Sequence, residues 1–302
     1  MTLQQDSEVM KNKVAVITGG AKGIGFAVAS ALVERGVKVV IGDVLREQGQ
    51  AAVKALNEKA GSQVALFEFC DVRFYADNKK LFQTAEVHFG GVDIAILNAG
   101  IAGLAADTLN TPLDDEAERL IFDINTLGVV KGAKVAIMHM IKRGGGVIVN
   151  TASVAGIVGS PGLSSYSATK HAVIGFTRSF EHLGAMGIRV NAVCPYWVET
   201  DIIDLRDENG DPASIKEVLD ASPKVPMKEV VETYLKFIRD DELSGEAYIV
   251  APDGHHEHPR ADLPESCISE EMLEAIAKQT PLSMQKTMDQ LQGASKAYFS
   301  KL

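Results

Sequence analysis

Val14-Ala15-Val16-Ile17-Thr18-Gly19-Gly20-Ala21-Lys22-Gly23-Ile24-Gly25 is the stretch on which the fold turns. Its first four residues are apolar without polar alternation, the pattern of a strand covered on both faces. After Gly25, Phe26, Val28, Ala29, Leu32 and Val33 recur at helical spacing, and Gly36 is placed to end the helix. Strand, glycine-rich turn and helix in that order make a phosphate cradle. Glycines let backbone N–H groups approach a pyrophosphate, and the helix N-terminus adds a favourable dipole. The spacing is G-x-x-x-G-x-G, not the common G-x-G-x-x-G, and a lone glycine cluster is also compatible with a plain tight turn.

Working outward, a second strand, Val37 to Ile41, ends in Gly42-Asp43. An acidic residue about twenty residues past the glycine turn is where a ribose diol is held, the alternative being a solvated turn residue. Helices are expected from Arg46 to Lys59 and from Asn78 to His88, with a strand from Val64 to Phe69, running into Asp71-Val72, between them. Val92 to Leu97 forms the fourth strand and leads into Asn98-Ala99-Gly100. A mixed loop, Ile101 to Asp114, precedes a long helix from Glu116 to Lys142. Asn125 lies inside that helix as a mediocre helix former, either satisfying the backbone or marking a kink that binds water.

The second decisive stretch runs from Gly146 to Lys170. Val147-Ile148-Val149-Asn150 is a fifth buried strand, and Ser153 sits on the turn beyond it. Helical pattern resumes near Leu163, so Tyr166 and Lys170 stand one turn apart on one helix face. A phenol titrates near 10, and a fixed ammonium nearby lowers that value and makes it a usable base. Ser153 is then placed to bond the substrate oxygen that Tyr166 serves. Alone, a Tyr-x-x-x-Lys pair is weak evidence. A sixth strand, Val190 to Val193, leads into Cys194-Pro195-Tyr196-Trp197-Val198-Glu199-Thr200. The polar, proline-interrupted stretch from Asp201 to Met227 reads as a loop over a cleft. A helix from Met227 to Arg239 and a last strand, Glu246 to Val250, complete the alternation.

Strand alternating with helix predicts an α/β fold: one Rossmann-type, doubly wound parallel sheet with helices on both faces and ligands at the carboxyl ends of its strands. Gly19, Asp43, Asp71, Asn98, Ser153 and Pro195 all fall at those ends. Residues 1–254 are expected to form this dinucleotide-binding and catalytic domain, and residues 255–302 a C-terminal helical extension. In the extension, Glu270 to Lys278 carries Met272, Leu273 and Ile276 on one face. Thr280-Pro281 reads as the cap and first position of a further helix, with Met284, Met288, Leu291 and Tyr298 on one stripe. His255, His256 and His258 read as a solvated loop after the last strand rather than a metal site.

The 302 residues carry forty acidic against thirty basic side chains, a net charge of -10, and a pI of about 5.2. Such a chain repels nucleic acid and anionic membrane, and neither is expected as a partner. Cys70, Cys194 and Cys267 have no metal-ligand spacing and fit reduced thiols in a cytoplasmic protein. The polar, acidic start from Met1 to Met10 lacks the pattern of a signal peptide.

Thr18-Gly19-x-x-x-Gly23-Ile24-Gly25, Asp71-Val72, Asn98-Ala99-Gly100, Asn125, Ser153 and Tyr166-x-x-x-Lys170 occur together, in order and spacing, as in the short-chain dehydrogenase/reductase family. The chain resembles that family over roughly residues 11 to 254, with a layout similar to its NAD-linked hydroxyprostaglandin dehydrogenase-like branch. The resemblance implies hydride transfer between a nicotinamide and a secondary alcohol or ketone, and Tyr196, Trp197 and Met227, as candidate side chains near the cleft, point to a lipophilic substrate. It implies Tyr166 as acid/base, Lys170 as the group that lowers its pKa and binds the nicotinamide ribose, Ser153 as the residue orienting the substrate oxygen, and Asn125 as holder of a relay water. Gly19, Lys22, Gly23, Ile24 and Gly25 would cradle the cofactor, Asp43 would hold its ribose, and Asp71 and Val72 would contact adenine. Asn98 and Ala99 would lie along it, and Val198 and Thr200 would hold its carboxamide end. NAD is the expected cofactor, with NADP as rival because Lys22 is placed to attract a 2′-phosphate. A small-molecule substrate and a homodimer or homotetramer are expected. An alternative of another class is a dehydrogenase-like protein with a non-redox or regulatory, cofactor-binding role. Two positions depart from the family: Leu97 precedes Asn98 where asparagine is usual, and Tyr196 follows Pro195 where glycine is usual.

Overall fold

A computed structural model of the chain describes residues 8–102, 114–203 and 216–301. Of the expected loops from Ile101 to Asp114 and from Asp201 to Met227, residues 103–113 and 204–215 lie outside the described residues. Eight strands form one sheet: β1 (Val14–Thr18), β2 (Lys38–Asp43), β3 (Ala65–Phe69), β4 (Ile94–Leu97), β5 (Gly146–Thr151), β6 (Ile188–Pro195), β7 (Ala247–Ala251) and β8 (Gly254–Glu257). Their order is β3-β2-β1-β4-β5-β6-β7-β8, with every pair parallel except β7 and β8. The order reverses between β1 and β4, which opens a crevice at the carboxyl ends of the strands.

The helices are α1 (Gly23–Val33), α2 (Arg46–Ala60), α3 (Tyr75–Phe89), α4 (Asp115–Phe122), α5 (Gly128–Arg143), α6 (Ser164–Arg178), α7 (Lys216–Ala221), α8 (Met227–Arg239) and α9 (Glu270–Phe299). They cover both sheet faces, which is why the strands read as continuous apolar runs. Ala15 and Ile17 of β1 join one core cluster with Leu32, Leu56, Tyr234 and Phe237, whereas Val14 and Val16 join the other with Phe82, Val129 and Val173. Alternate residues of one strand thus feed opposite layers.

Four local expectations change. The stretch from Asp201 to Met227, expected as a loop, carries the short helix α7 in its described part. The long helix expected from Glu116 to Lys142 is interrupted by a π turn over Asp123–Leu127, because the buried Asn125 bonds outside its own helix. The expected loop at His255 is the antiparallel edge strand β8, whose histidines are exposed and carry little strand signal of their own. Thr280-Pro281 does not start a new helix, since α9 runs through it without a break. Proline lacks an N–H, but it is exposed here, so water can serve the carbonyl it leaves unpaired.

The C-terminal half of α9 docks on α5. Ser295 Oγ donates to Met138 O (2.8 Å), and the fully buried His139 lies 3.1 Å from Glu86 Oε2 and 3.3 Å from Tyr298 Oη. The Tyr298 and Phe299 rings meet the His139 ring edge-on at 5.4 and 4.9 Å between centres. Removing residues 269–302 uncovers this cluster. Losing two aromatic contacts of this kind removes about 3 kcal/mol, so the melting temperature is expected to fall by about 5–10 °C. An unchanged melting curve for the truncated protein would show that α9 adds nothing to the fold.

Candidate active site

The glycine turn is built by contacts no other residue permits at two of its positions. Gly19 adopts φ +64°, and a Cβ there would lie 2.7 Å from Ala99 Cα. A Cβ on Gly25 would lie 2.2 Å from Gly19 O. The turn is consequently pressed against the end of β4, where Thr18 Oγ1 accepts from Asn98 N (3.0 Å) and Asn98 Nδ2 donates to Gly19 O (2.9 Å). A cradle that excludes even a methyl group, followed directly by a helix N-terminus, fits a dinucleotide pyrophosphate.

Asp43 ends β2 and is nearly buried, with its two carboxylate oxygens accepting from Ala21 N (3.0 Å) and Leu45 N (3.1 Å). It is thus fixed beside the turn as a negative charge. Lys22 forms an ion pair with Asp201 (2.5 Å) across the cleft, and both side chains are largely exposed. Asp71 is gripped by Arg73 through Nε and Nη2, and that hydrogen bonding holds its carboxyl below the usual range.

At the other end, α6 carries Tyr166 and Lys170 on one face, and the turn after β5 carries Ser153. Lys170 is buried, and its Nζ donates to Thr151 O at 2.9 Å. Burial pushes its ammonium down to about 8. Burial also raises the Tyr166 phenol, and the nearby Ser153 hydroxyl acts in the opposite direction. Lys170 Nζ lies 5.5 Å from the Tyr166 ring centre and is engaged by the Thr151 carbonyl.

Asn125 is fully buried. Its Oδ1 accepts from Ile101 N (2.9 Å), while Nδ2 donates to Ile101 O (2.8 Å) and Thr169 Oγ1 (3.2 Å). Its side chain is occupied by these bonds, at the centre of the π turn. Trp197 packs with Tyr166 and Ala102 around Leu163, whereas Tyr196 packs on the core cluster that contains Val198, Val225 and Val230. The aromatic neighbour of Tyr166 is therefore Trp197. Thr200 lies over the turn, its Cγ2 3.4 Å from where a Cβ on Gly23 would sit.

One cleft of about 1270 Å³ joins the two ends, and every site residue expected from the sequence lines it except Gly25, Asn125 and Met227, the last of which packs on the core instead. Thr151, which sequence reasoning passed over, also belongs here, since it lines the cleft and holds Lys170, and Thr18 of the glycine motif bonds the β4 end. A hydroxyl at a strand end carries no signal that separates it from an ordinary strand residue. Among the described residues, no group of three or more His, Cys, Asp or Glu is arranged to hold a metal ion, and no helix is long and apolar enough to cross a membrane.

A doubly wound sheet with a glycine cradle at its switch point and a Ser/Tyr/Lys cluster across the crevice defines a dinucleotide-binding α/β protein. The family model described as short chain dehydrogenase matches residues 13–210, and the chain belongs to that family. It is 33% identical over 264 residues to 15-hydroxyprostaglandin dehydrogenase [NAD(+)] of Mus musculus, covering 82% of this chain and 93% of the relative. It is 38% identical over 241 residues to cis-4-hydroxycyclohexanecarboxylate dehydrogenase of Sinomonas cyclohexanicum, covering 78% and 93%. The crystal structure of levodione reductase superposes with a TM-score of 0.73 at 28% identity, covering 80% of this chain and 97% of that one. The chain is accordingly an oxidoreductase acting on CH–OH groups by hydride transfer.

The state of Lys170 gives a stability test. Its folded value, about 8, lies below its ordinary 10.5. The penalty for a buried ammonium is complete below pH 8 and vanishes as the pH rises to 10.5. Stability of the cofactor-free wild type relative to Lys170→Met should therefore increase with pH across that window. Urea midpoints of both proteins from pH 7 to 10.5 measure it, and a pH-independent difference would contradict this account of Lys170.

Proposed function

We propose that the chain is an NAD-linked dehydrogenase of a lipophilic secondary alcohol or its ketone, with Tyr166 as acid/base. The observation that carries the reading is that Ser153, Tyr166 and the buried Lys170 line the same cleft as the glycine cradle. NAD, when bound, supplies the hydride acceptor for oxidation and, reduced, the donor for reduction. Ser153 orients the substrate oxygen, and Tyr166 takes its proton in oxidation or gives one in reduction. Lys170, held by Thr151 O, keeps a positive charge near the phenol and the nicotinamide end. Asn125 holds the helix around the site through its bonds to Ile101 and Thr169. Residues 1–254 make up the catalytic unit, whose edge strand β8 runs on to Glu257, and the rest of 255–302 is its extension, in a cytoplasmic homodimer or homotetramer.

The apolar surface around Leu163, Trp197, Ala102 and Val158 supports a lipophilic substrate. The relative named for NAD(+) and the placement of Asp43 support NAD over NADP. A carboxylate fixed by two backbone N–H groups cannot swing away from a 2′-phosphate, whereas Lys22 is paired with Asp201. Any pair an exposed lysine makes, with Asp201 or with a 2′-phosphate, is weak, so the fixed Asp43 carries the preference.

Tyr166→Phe keeps the ring and removes the proton-carrying oxygen. Turnover is expected to fall by at least about a hundredfold, with cofactor affinity within about twofold of wild type. Steady-state rates and cofactor titrations measure this, and substantial residual oxidation would remove Tyr166 from its role. For the cofactor, kcat/KM should favour NAD over NADP by at least about tenfold, equivalent to ~1.4 kcal/mol. Asp43→Asn removes the charge while keeping an acceptor for the turn, and should narrow that ratio. A wild type that already prefers NADP would show that Lys22 prevails over Asp43.

A further inference from the structure

The buried Tyr234 on α8 makes a contact that its core packing does not require. Its ring sits fully buried in the core cluster with Phe237 and Leu235, where phenylalanine would fill the same space. Its hydroxyl lies 2.5 Å from Thr151 Oγ1, across 83 residues of chain. A buried hydroxyl is costly unless it is bonded.

The direction of the bonds around Thr151 follows from the donors available. Asn98 Nδ2 donates to Gly19 O (2.9 Å), since a carbonyl oxygen accepts and cannot donate. That turns Asn98 Oδ1 toward Thr151, whose Oγ1 donates to it at 3.1 Å. The Thr151 hydroxyl has one hydrogen, so in its contact with Tyr234 it is the acceptor. Tyr234 is therefore the donor, and burial keeps its phenol protonated by raising it further above its ordinary value. The result is a one-way chain: Tyr234 O–H to Thr151 Oγ1, Thr151 O–H to Asn98 Oδ1, Asn98 N–H to Gly19 O. The carbonyl of the same Thr151 accepts from Lys170 Nζ at 2.9 Å. Thr151 and Asn98 both line the cleft, whereas Tyr234 does not.

We propose that Tyr234 is a positioning residue for the dinucleotide: its hydroxyl fixes the Thr151 hydrogen on Asn98 and so holds the glycine turn in its binding shape. The inference rests on the reading of the cleft as a nicotinamide dinucleotide site. Without the phenolic donor, the Thr151 hydrogen is free to turn away, and the Asn98 amide loses the bond that fixes its orientation.

The test is titration of the full-length protein with NADH and NADPH, following cofactor fluorescence, for wild type, Tyr234→Phe, Thr151→Val and the double variant. For the cofactor that wild type binds, each single change should weaken binding by about fivefold, the effect of one net hydrogen bond. The double variant should bind no worse than Thr151→Val by more than about twofold, because both changes break one chain. Thr151→Ser, which restores the hydroxyl, should bind as wild type does. Tyr248→Phe, a core tyrosine outside the chain of bonds, should also bind as wild type. A Tyr234→Phe protein with wild-type affinity, or losses that multiply in the double variant, would overturn the inference while leaving the dehydrogenase reading intact. Should Tyr234→Phe fail to fold, Thr151→Val against Thr151→Ser carries the comparison, and equal affinity for those two would overturn it. A wild type that binds neither cofactor takes down both readings.

Discussion

The cleft depends on one contact at the end of β5: the Thr151 carbonyl accepting from the buried Lys170 ammonium. A charge taken out of water needs partners that replace its hydration. The strand end supplies a carbonyl dipole fixed by the parallel sheet, and α6 supplies the lysine one turn from Tyr166. The same contact ties the helix that carries Tyr166 and Lys170 to the strand whose following turn carries Ser153. The relative placement of the three side chains is thus set by main-chain geometry rather than by the side chains themselves.

The sheet extends this logic across the molecule. Because the order reverses between β1 and β4, the turns after these strands part and leave room for a ligand. The glycine turn closes one side of that room, and its contact with Ala99 leaves no space for a side chain on Gly19. Asp43 is secured by the turn's own N–H group from Ala21, so the charge expected to read the ribose and the loop expected to read the phosphates move as one body. Lys170 and Asp43 occupy opposite ends of the same cleft, with opposite sign.

Much of this was legible in the sequence, and the exceptions share a cause. The strand runs, the glycine cluster, Asp43 and the Tyr166/Lys170 spacing are local signals, each read within a few residues. The π turn at Asn125 was not legible as such, because its cause is a pair of bonds to Ile101, 24 residues away, together with one to Thr169, 44 residues away. Thr151 and Tyr234 carried no signal for the same reason: a threonine ending a strand and a tyrosine on an apolar helix face look like ordinary structure until the fold brings their hydroxyls together. β8 was missed because Gly254, His255 and His256 have no strand pattern, and its pairing comes from β7. At Pro281 a true local rule gave the wrong boundary, since the docking of the second half of α9 on α5 outweighs one missing N–H.

The central claim is that this cleft moves a hydride between a carbinol carbon and a nicotinamide. The most direct measurement uses a panel of lipophilic secondary alcohols deuterated at the carbinol carbon, incubated with the enzyme and NAD, followed by mass spectrometry of the reduced cofactor. The account predicts that a turned-over alcohol leaves its deuterium on the nicotinamide ring and appears as the ketone. Ketone formation with an unlabelled reduced cofactor would contradict direct hydride transfer and, with it, the account of the site.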